Sequence, residues 1–143
     1  MIVRPAIPAD LATVTAWLDA AGLPTADLTE AHMENFLVAV DADSPLGMVG
    51  LETFNDVGLL RSLVVDPGAR SGGIGRRLVA ALEANAASKG VTEMWLLTID
   101  ADAYFEKLGY EMQGRDSAPN SIRSTAEFAD LCPGDAVLMK KVL

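Results

Sequence analysis

Residues 62–83 read SLVVDPGARSGGIGRRLVAALE: an apolar strand, a glycine-rich loop, then a helix whose Ile74, Leu78 and Leu82 recur at helical spacing. Gly72, Gly73 and Gly75 let the backbone come close to a ligand. The first N–H groups of a helix have no partner within it and point outward, which makes an anion site. Arg70, Arg76 and Arg77 add positive charge beside them. A pyrophosphate suits this geometry because it accepts several backbone donors at once. Two other phosphate motifs fail. A Walker loop ends in Gly-Lys-Ser/Thr, where this chain has Gly75-Arg76-Arg77, and a dinucleotide fingerprint needs a third glycine where Leu78 stands. Taken alone, the loop also fits a glycine-rich helix entry flanked by solvated arginines.

Outward from this loop the pattern alternates between strands and helices. Upstream, IVRPA reads as a strand, and Leu11, Val14, Trp17 and Leu18 predict a helix stopped at Gly22. ADLTEAHMENF predicts a second short helix. FLVAVDA, MVGLETF and VGLLRSLVVD predict three strands of an antiparallel meander, with SPLG and ND as turns. Downstream, TEMWLLTI is a strand, DADAYFEKL a helix stopped by Gly109, and YEMQGR a strand. A helix follows Pro119, and AVLMKKV is a last strand. The order predicts an α+β domain over residues 1–143, with one mixed, mostly antiparallel sheet flanked by helices.

The 143 residues suffice for one domain with a real core. The net charge of −9 disfavours nucleic acid as a partner. No apolar run approaches the ~18 residues of a membrane span, and the first residues lack the apolar core of a signal peptide. One cysteine, Cys132, excludes an internal disulfide framework and a cysteine-rich zinc site. These features lead us to expect a cytoplasmic protein without a metal.

RSGGIG, preceded by LVVDPGAR and followed at a fitting distance by YFEKLGY, resembles the acyl-CoA loop and late-helix motif of the GNAT superfamily of acyl-CoA-dependent N-acyltransferases. The element order extends the resemblance over nearly the whole chain. It implies acetyl-CoA as cosubstrate, a small-molecule amine as acceptor, and the homodimers that many members form. It also implies binding residues. Backbone groups of Leu63, Val64 and Val65 would pair with the pantetheine arm as an added strand does. Arg70, Ser71, Gly72, Gly73, Ile74, Gly75 and Arg76 would hold the pyrophosphate. The thioester would lie where the strands on either side of the intervening helix part.

In many members a late-helix tyrosine protonates the departing thiolate. Here Phe105 takes that position and Tyr104 the one before it. Neighbouring helical residues point about 100° apart. Three arrangements are open. Phe105 lines the channel and the thiolate leaves without a protein acid; Tyr104 reaches the sulfur through a rotated helix; or Tyr104 packs in the core with its hydroxyl satisfied locally.

The attacking amine must lose a proton. Glu52, alternating with apolar neighbours in MVGLETF, is the candidate base; a solvated outer face is the competing reading. Asp56 reads as a turn residue, Asp100 as a helix cap, and His32 as a surface or core histidine. Arg61 interrupts the apolar GLLRSLVV, either to clamp an acceptor carboxylate or as a solvated arginine. Arg115 and Arg123 are further candidates, and Thr98 offers a hydroxyl to the pocket or caps the next helix. SIRSTAEFADLCPGDAVLMKK, together with LLRSLVV, resembles a GNAT subgroup associated with arsenic-resistance loci. With one cysteine, that resemblance implies acylation of an amine-bearing organoarsenical or a related amino acid rather than thiolate chelation. An acyl-CoA-binding sensor without efficient turnover is the alternative to an enzyme.

Overall fold

In the computed structural model the chain runs β1 (Ile2–Pro5), α1 (Leu11–Ala20), β2 (Phe36–Asp41), β3 (Ser44–Phe54), β4 (Val57–Val65) and α2 (Ile74–Ser88). It continues through β5 (Glu93–Thr98), α3 (Asp102–Lys107), β6 (Glu111–Gln113), α4 (Asn120–Arg123) and β7 (Val137–Val142). The structure describes all residues except 24, 43, 69–72, 126–127 and 129–135. Among the described residues the strands form one sheet in the order β1-β2-β3-β4-β5-β7-β6. All pairs are antiparallel except β4 with β5. This is the α+β mixed sheet expected.

Side-chain alternation assigns the two faces. Val49 and Leu51 of β3 and Leu60 of β4 pack against Leu78, Leu82 and Ala86 of α2. Phe36, Val38 and Met48 turn the other way, against Val14 and Leu18 of α1. Full burial of each such aliphatic side chain contributes roughly 2 kcal/mol. A third apolar cluster joins Leu59, Trp95 and Leu138 to Ala118 and Ile122 beside α4.

Three local expectations change. SPLG is not a turn: Ser44, Pro45 and Gly47 lie in the β2–β3 ladder. Pro45 pairs with Val40 next to a bulge, at the strand's end, where a missing N–H matters least. The turn falls earlier instead, with Ala42 at φ 47°. The second short helix is a 3₁₀ helix over Glu30–Asn35. After Pro119 a single helical turn is described, and much of the remainder, including Cys132, lies outside the described residues.

Tyr110 settles one of the two late tyrosines. It is buried, and its hydroxyl donates to Glu83 Oε2 of α2 at 2.9 Å. Burial, and secondarily the Glu83 carboxylate, push its pKa far above that of an ordinary phenol. Lys141 of β7 donates to Glu83 Oε1 at 3.0 Å and to the Leu108 carbonyl at 2.9 Å. This network ties α2 to the end of α3 and to β7.

Candidate active site

β4 and β5 are paired only at Val57–Glu93, Gly58–Met94 and Leu59–Trp95, although β4 continues to Val65 and β5 to Thr98. Beyond Leu59 the strands part. The register shows a contributing distortion: Met48 faces Val64, but Gly50 faces Arg61, so β4 carries one extra residue there. Ser62 sits in this bulge at φ 62°, a left-handed conformation unusual for a residue with a side chain. The insertion lets Arg61 and Val64, three residues apart, both face away from α2.

The parting opens a cavity of about 640 Å³. Leu60, Ser62 and Leu63 of β4 line one wall, and Leu96, Leu97 and Thr98 of β5 another. Residues 21–23 and 25–26, between α1 and the 3₁₀ helix, lie on a further side, and Tyr104 and Phe105 of α3 close the end nearest α2. With β5 gone from its side, the β4 backbone past Leu59 presents an edge on which an extended ligand can add as a strand.

The anion-site expectation falls partly within the described residues. Gly73 precedes α2 at φ 72°, with no side-chain cap and open space around its Cβ position. Ile74 and Gly75 are buried, so only their backbone can serve, while Arg76 is exposed in the first turn. Arg70, Ser71 and Gly72 lie outside the described residues. Val64 turns its side chain into the α1 cluster, and Val65 packs toward α2; side-chain binding is therefore not their role.

Tyr104 is not a core residue. It is 39% exposed, stands edge-on to Phe105, and has no hydrogen-bond partner for its hydroxyl among the described residues. That hydroxyl lies 2.5 Å from where a Cβ on Gly75 would sit, so the phenol rests on the first turn of α2. Burial raises its pKa above the ordinary phenol value, and the nearby Arg76 charge partly offsets this. Phe105, 6% exposed, packs in the α2-side core while also lining the cavity.

The acceptor-side candidates are rearranged. Arg61 lines the cavity too, but it is 2% exposed and its side chain is closed to solvent, so it is not a solvated arginine. Its Nη1 and Nη2 donate to the two Asp27 oxygens, Nη1 also to Glu52 Oε2 at 3.1 Å, and Nε to Ser62 Oγ at 3.1 Å. A substrate carboxylate finds this fork already taken. Glu52 does not face the cavity as a base: it is held by Arg61 and lines a separate hollow with His32 and Asn35. Thr98 lines the cavity, and its Oγ accepts the N–H of Ala101, the residue before α3, at 3.0 Å, which fixes the turn between β5 and α3 without capping the helix. Ala101 stands at the N-cap of α3, without a side-chain cap, so Asp100 is not the cap expected of it, and it stands exposed at the cavity rim. Arg115 holds the Ala136 carbonyl and stacks on Phe128, and Arg123 donates to the Asp116 carbonyl. Among the described residues, no group of three or more His, Cys, Asp or Glu is placed to hold a metal ion.

Asp27 was missed from the sequence. Burial works to raise its pKa, but the Arg61 hydrogen bonds and charge outweigh this and hold it below the ordinary carboxylate value. Asp10 is held low chiefly by its hydrogen bond to Arg4, against burial. Depressed carboxylates contribute stability above their unfolded pKa of about 4 and lose it as pH falls through the folded value. The melting temperature should therefore hold steady from about pH 7 to 5 and drop below about pH 4. A rise on acidification would contradict both assignments.

Residues 9–110 match the acetyltransferase (GNAT) family. The amino-acid acetyltransferase of Neisseria meningitidis serogroup B is 28% identical over 96 residues, covering 66% of this chain and 22% of that protein. An uncharacterised N-acetyltransferase of Chlorobaculum tepidum is 30% identical over 114 residues, covering 78% of this chain and 73% of that one. Among solved structures, N-acetylglutamate synthase of Neisseria gonorrhoeae, complexed with coenzyme A and N-acetyl-glutamate, superposes with a TM-score of 0.86 at 23% identity. That superposition covers 99% of this chain and 35% of the synthase. The chain thus spans about a fifth of the length of the amino-acid acetyltransferase it matches.

Proposed function

Because the chain belongs to the GNAT family of acetyltransferases, we propose that it transfers an acetyl group from acetyl-CoA to the primary amine of a small molecule, an amino acid foremost. The observation that carries this reading is the parting of β4 and β5 after Leu59, which opens the cavity along the β4 edge that β5 leaves and beside the start of α2.

Acetyl-CoA supplies a thioester whose carbonyl carbon is open to an amine. The chain's own parts have distinct tasks. The β4 edge around Leu63 orients the pantetheine arm, the N–H groups from Gly73 onward receive the pyrophosphate, and Phe105 excludes water from the thioester end. The acceptor enters between β5 and residues 21–23 and 25–26. Identity to the Neisseria amino-acid acetyltransferase favours an amino acid, and the arsenic-locus resemblance adds amine-bearing organoarsenicals.

The Tyr104 hydroxyl, reaching from α3, rests on the first turn of α2, so the phenol serves as a binding group more than as the thiolate's acid. Tyr104→Phe should lower kcat by less than about tenfold, since a lost general acid costs about 10²–10⁴-fold. A loss above about 100-fold with the fold intact would make Tyr104 the acid after all.

One observation favours a non-catalytic acyl-CoA sensor: the Glu52 carboxylate is bound to Arg61 and turned from the cavity. The decisive experiment measures CoA thiol release from acetyl-CoA over amino acids, aminoglycosides, polyamines and amine-bearing arsenicals. Acceptor-dependent release supports the enzyme; acetyl-CoA binding with no release across the panel supports the sensor.

A further inference from the structure

We propose that Asp27 and Arg61 form a positioning pair that fixes the acceptor-side wall of the cavity, and so tune which amines the protein accepts without touching coenzyme A. The inference rests on the acetyltransferase reading above.

The wall in question is the connection after α1. Ala21, Gly22, Leu23, Thr25 and Ala26 line the cavity, yet they belong to neither a helix nor the sheet. Local bonds shape the connection: Leu23 N–H to the Leu18 carbonyl, Thr25 Oγ1 to Asp19, and Leu28 N–H to the Thr25 carbonyl. These bonds set its curvature but not its distance from the sheet. Asp27 sets that distance by gripping Arg61 of β4 with both carboxylate oxygens.

Arg61 is built to receive such a grip. Its side chain is wholly inaccessible to solvent, while that of Asp27 is 18% exposed. Glu52 on one side and Ser62 on the other hold the guanidinium plane, so the arginine presents one fixed edge. Ser62 does this from the left-handed bulge, a strained backbone state for a non-glycine residue. A buried ion pair is seldom the most stabilising filling, because packed apolar side chains of similar volume often do as well. What the pair provides is geometry. A bidentate arginine–carboxylate contact fixes both distance and orientation, and here it joins the cavity's loop wall to its strand wall.

Charge counting separates this role from that of a substrate clamp. Arg61 already faces two carboxylates, Asp27 and Glu52, and His32 lies close enough to influence Asp27. A third carboxylate brought in by an acceptor would meet net negative charge unless it expelled Asp27.

The test uses Asp27→Asn and Asp27→Glu in the full chain. Asparagine keeps the shape but weakens the grip, and Arg61 retains Glu52, so the variant should fold. We expect backbone amides of residues 21–23 and 25–29 to exchange at least about tenfold faster in Asp27→Asn. For each amino acid or polyamine that supports CoA release, acceptor KM should rise about tenfold with kcat within about threefold, the pattern of lost uniform binding. The acetyl-CoA Kd by calorimetry should stay within about twofold, and Asp27→Glu should restore most of the KM. Unchanged amide exchange overturns the pairing role, as does an equal loss of acetyl-CoA affinity, which would mark a general structural defect. A lower KM confined to carboxylate-bearing acceptors also overturns it, because Asp27 would then be holding the acceptor's own place. If no amine supports release, the acetyltransferase reading fails, while amide exchange and acetyl-CoA calorimetry still decide the pairing role.

Discussion

Gly73→Glu is expected to weaken acetyl-CoA binding by at least about 100-fold in calorimetry while leaving the protein folded. Two unit charges about 4 Å apart near a protein surface interact by about 4 kcal/mol, which exceeds the effect required. The glutamate would stand where the first N–H groups of α2 point, at the place assigned to the pyrophosphate. Among the described residues nothing lies within 4 Å of the Cβ position at Gly73, so none of them has to move. The remaining cost is conformational. With φ at 72° a non-glycine residue loses about 1–2 kcal/mol, a tolerable drop in stability. Gly73→Ala carries the same backbone cost without the charge and should bind nearly normally. Equal affinity for wild type and Gly73→Glu would remove the start of α2 from the cofactor site.

The second large effect concerns stability. Gly50 lies in β3 under the ring of Phe36, and a Cβ there would come within 2.4, 2.5 and 2.9 Å of three ring atoms. Phe36 has no solvent exposure and sits in the α1-side core, so the ring has little room to retreat. Overpacking of this kind costs about 1–3 kcal/mol, and the closeness of the contact argues for the upper end. Gly50→Ala should therefore lower the melting temperature by about 10 °C in a domain of this size. Pairing it with Phe36→Leu should recover part of the loss, because the two residues share one space. A drop under about 2 °C for Gly50→Ala would mean that the ring swings aside freely.

The fold was legible because its signals are local. Strand-to-helix succession around residues 62–83, the apolar runs of β2 and β5, and helical spacing at Leu78 and Leu82 are all short-range signals. Phe105 and Tyr104 were correctly separated by the helical angle, though not which of them would be buried. The acceptor side resisted for a physical reason. Arg61 announces itself as a charge in an apolar strand, but its partner Asp27 is 34 residues away in a loop without periodicity. The bulge at Ser62 is equally silent, since no glycine marks its positive φ. Without the bulge the face of Arg61 cannot be assigned, and Glu52, which pairs with it, is misplaced too. A buried arginine implies a carboxylate somewhere, and that inference was available; its address was not.

The strand order carries a consequence for how the chain reaches this state. β7 lies between β5 and β6, bonding to Glu93–Thr98 on one side and to Glu111–Gln113 on the other. Until residues 137–142 have been synthesised, β6 has no neighbour and β5 is bare along its outer edge. The N-terminal meander can assemble early, from short-range pairings. The far half of the sheet must wait for a segment about 40 residues downstream of β5, a non-local pairing of the kind that slows folding. During that wait the apolar residues of β5 are exposed on a growing chain. Premature termination before residue 137 should thus yield an aggregation-prone product rather than a smaller functional one.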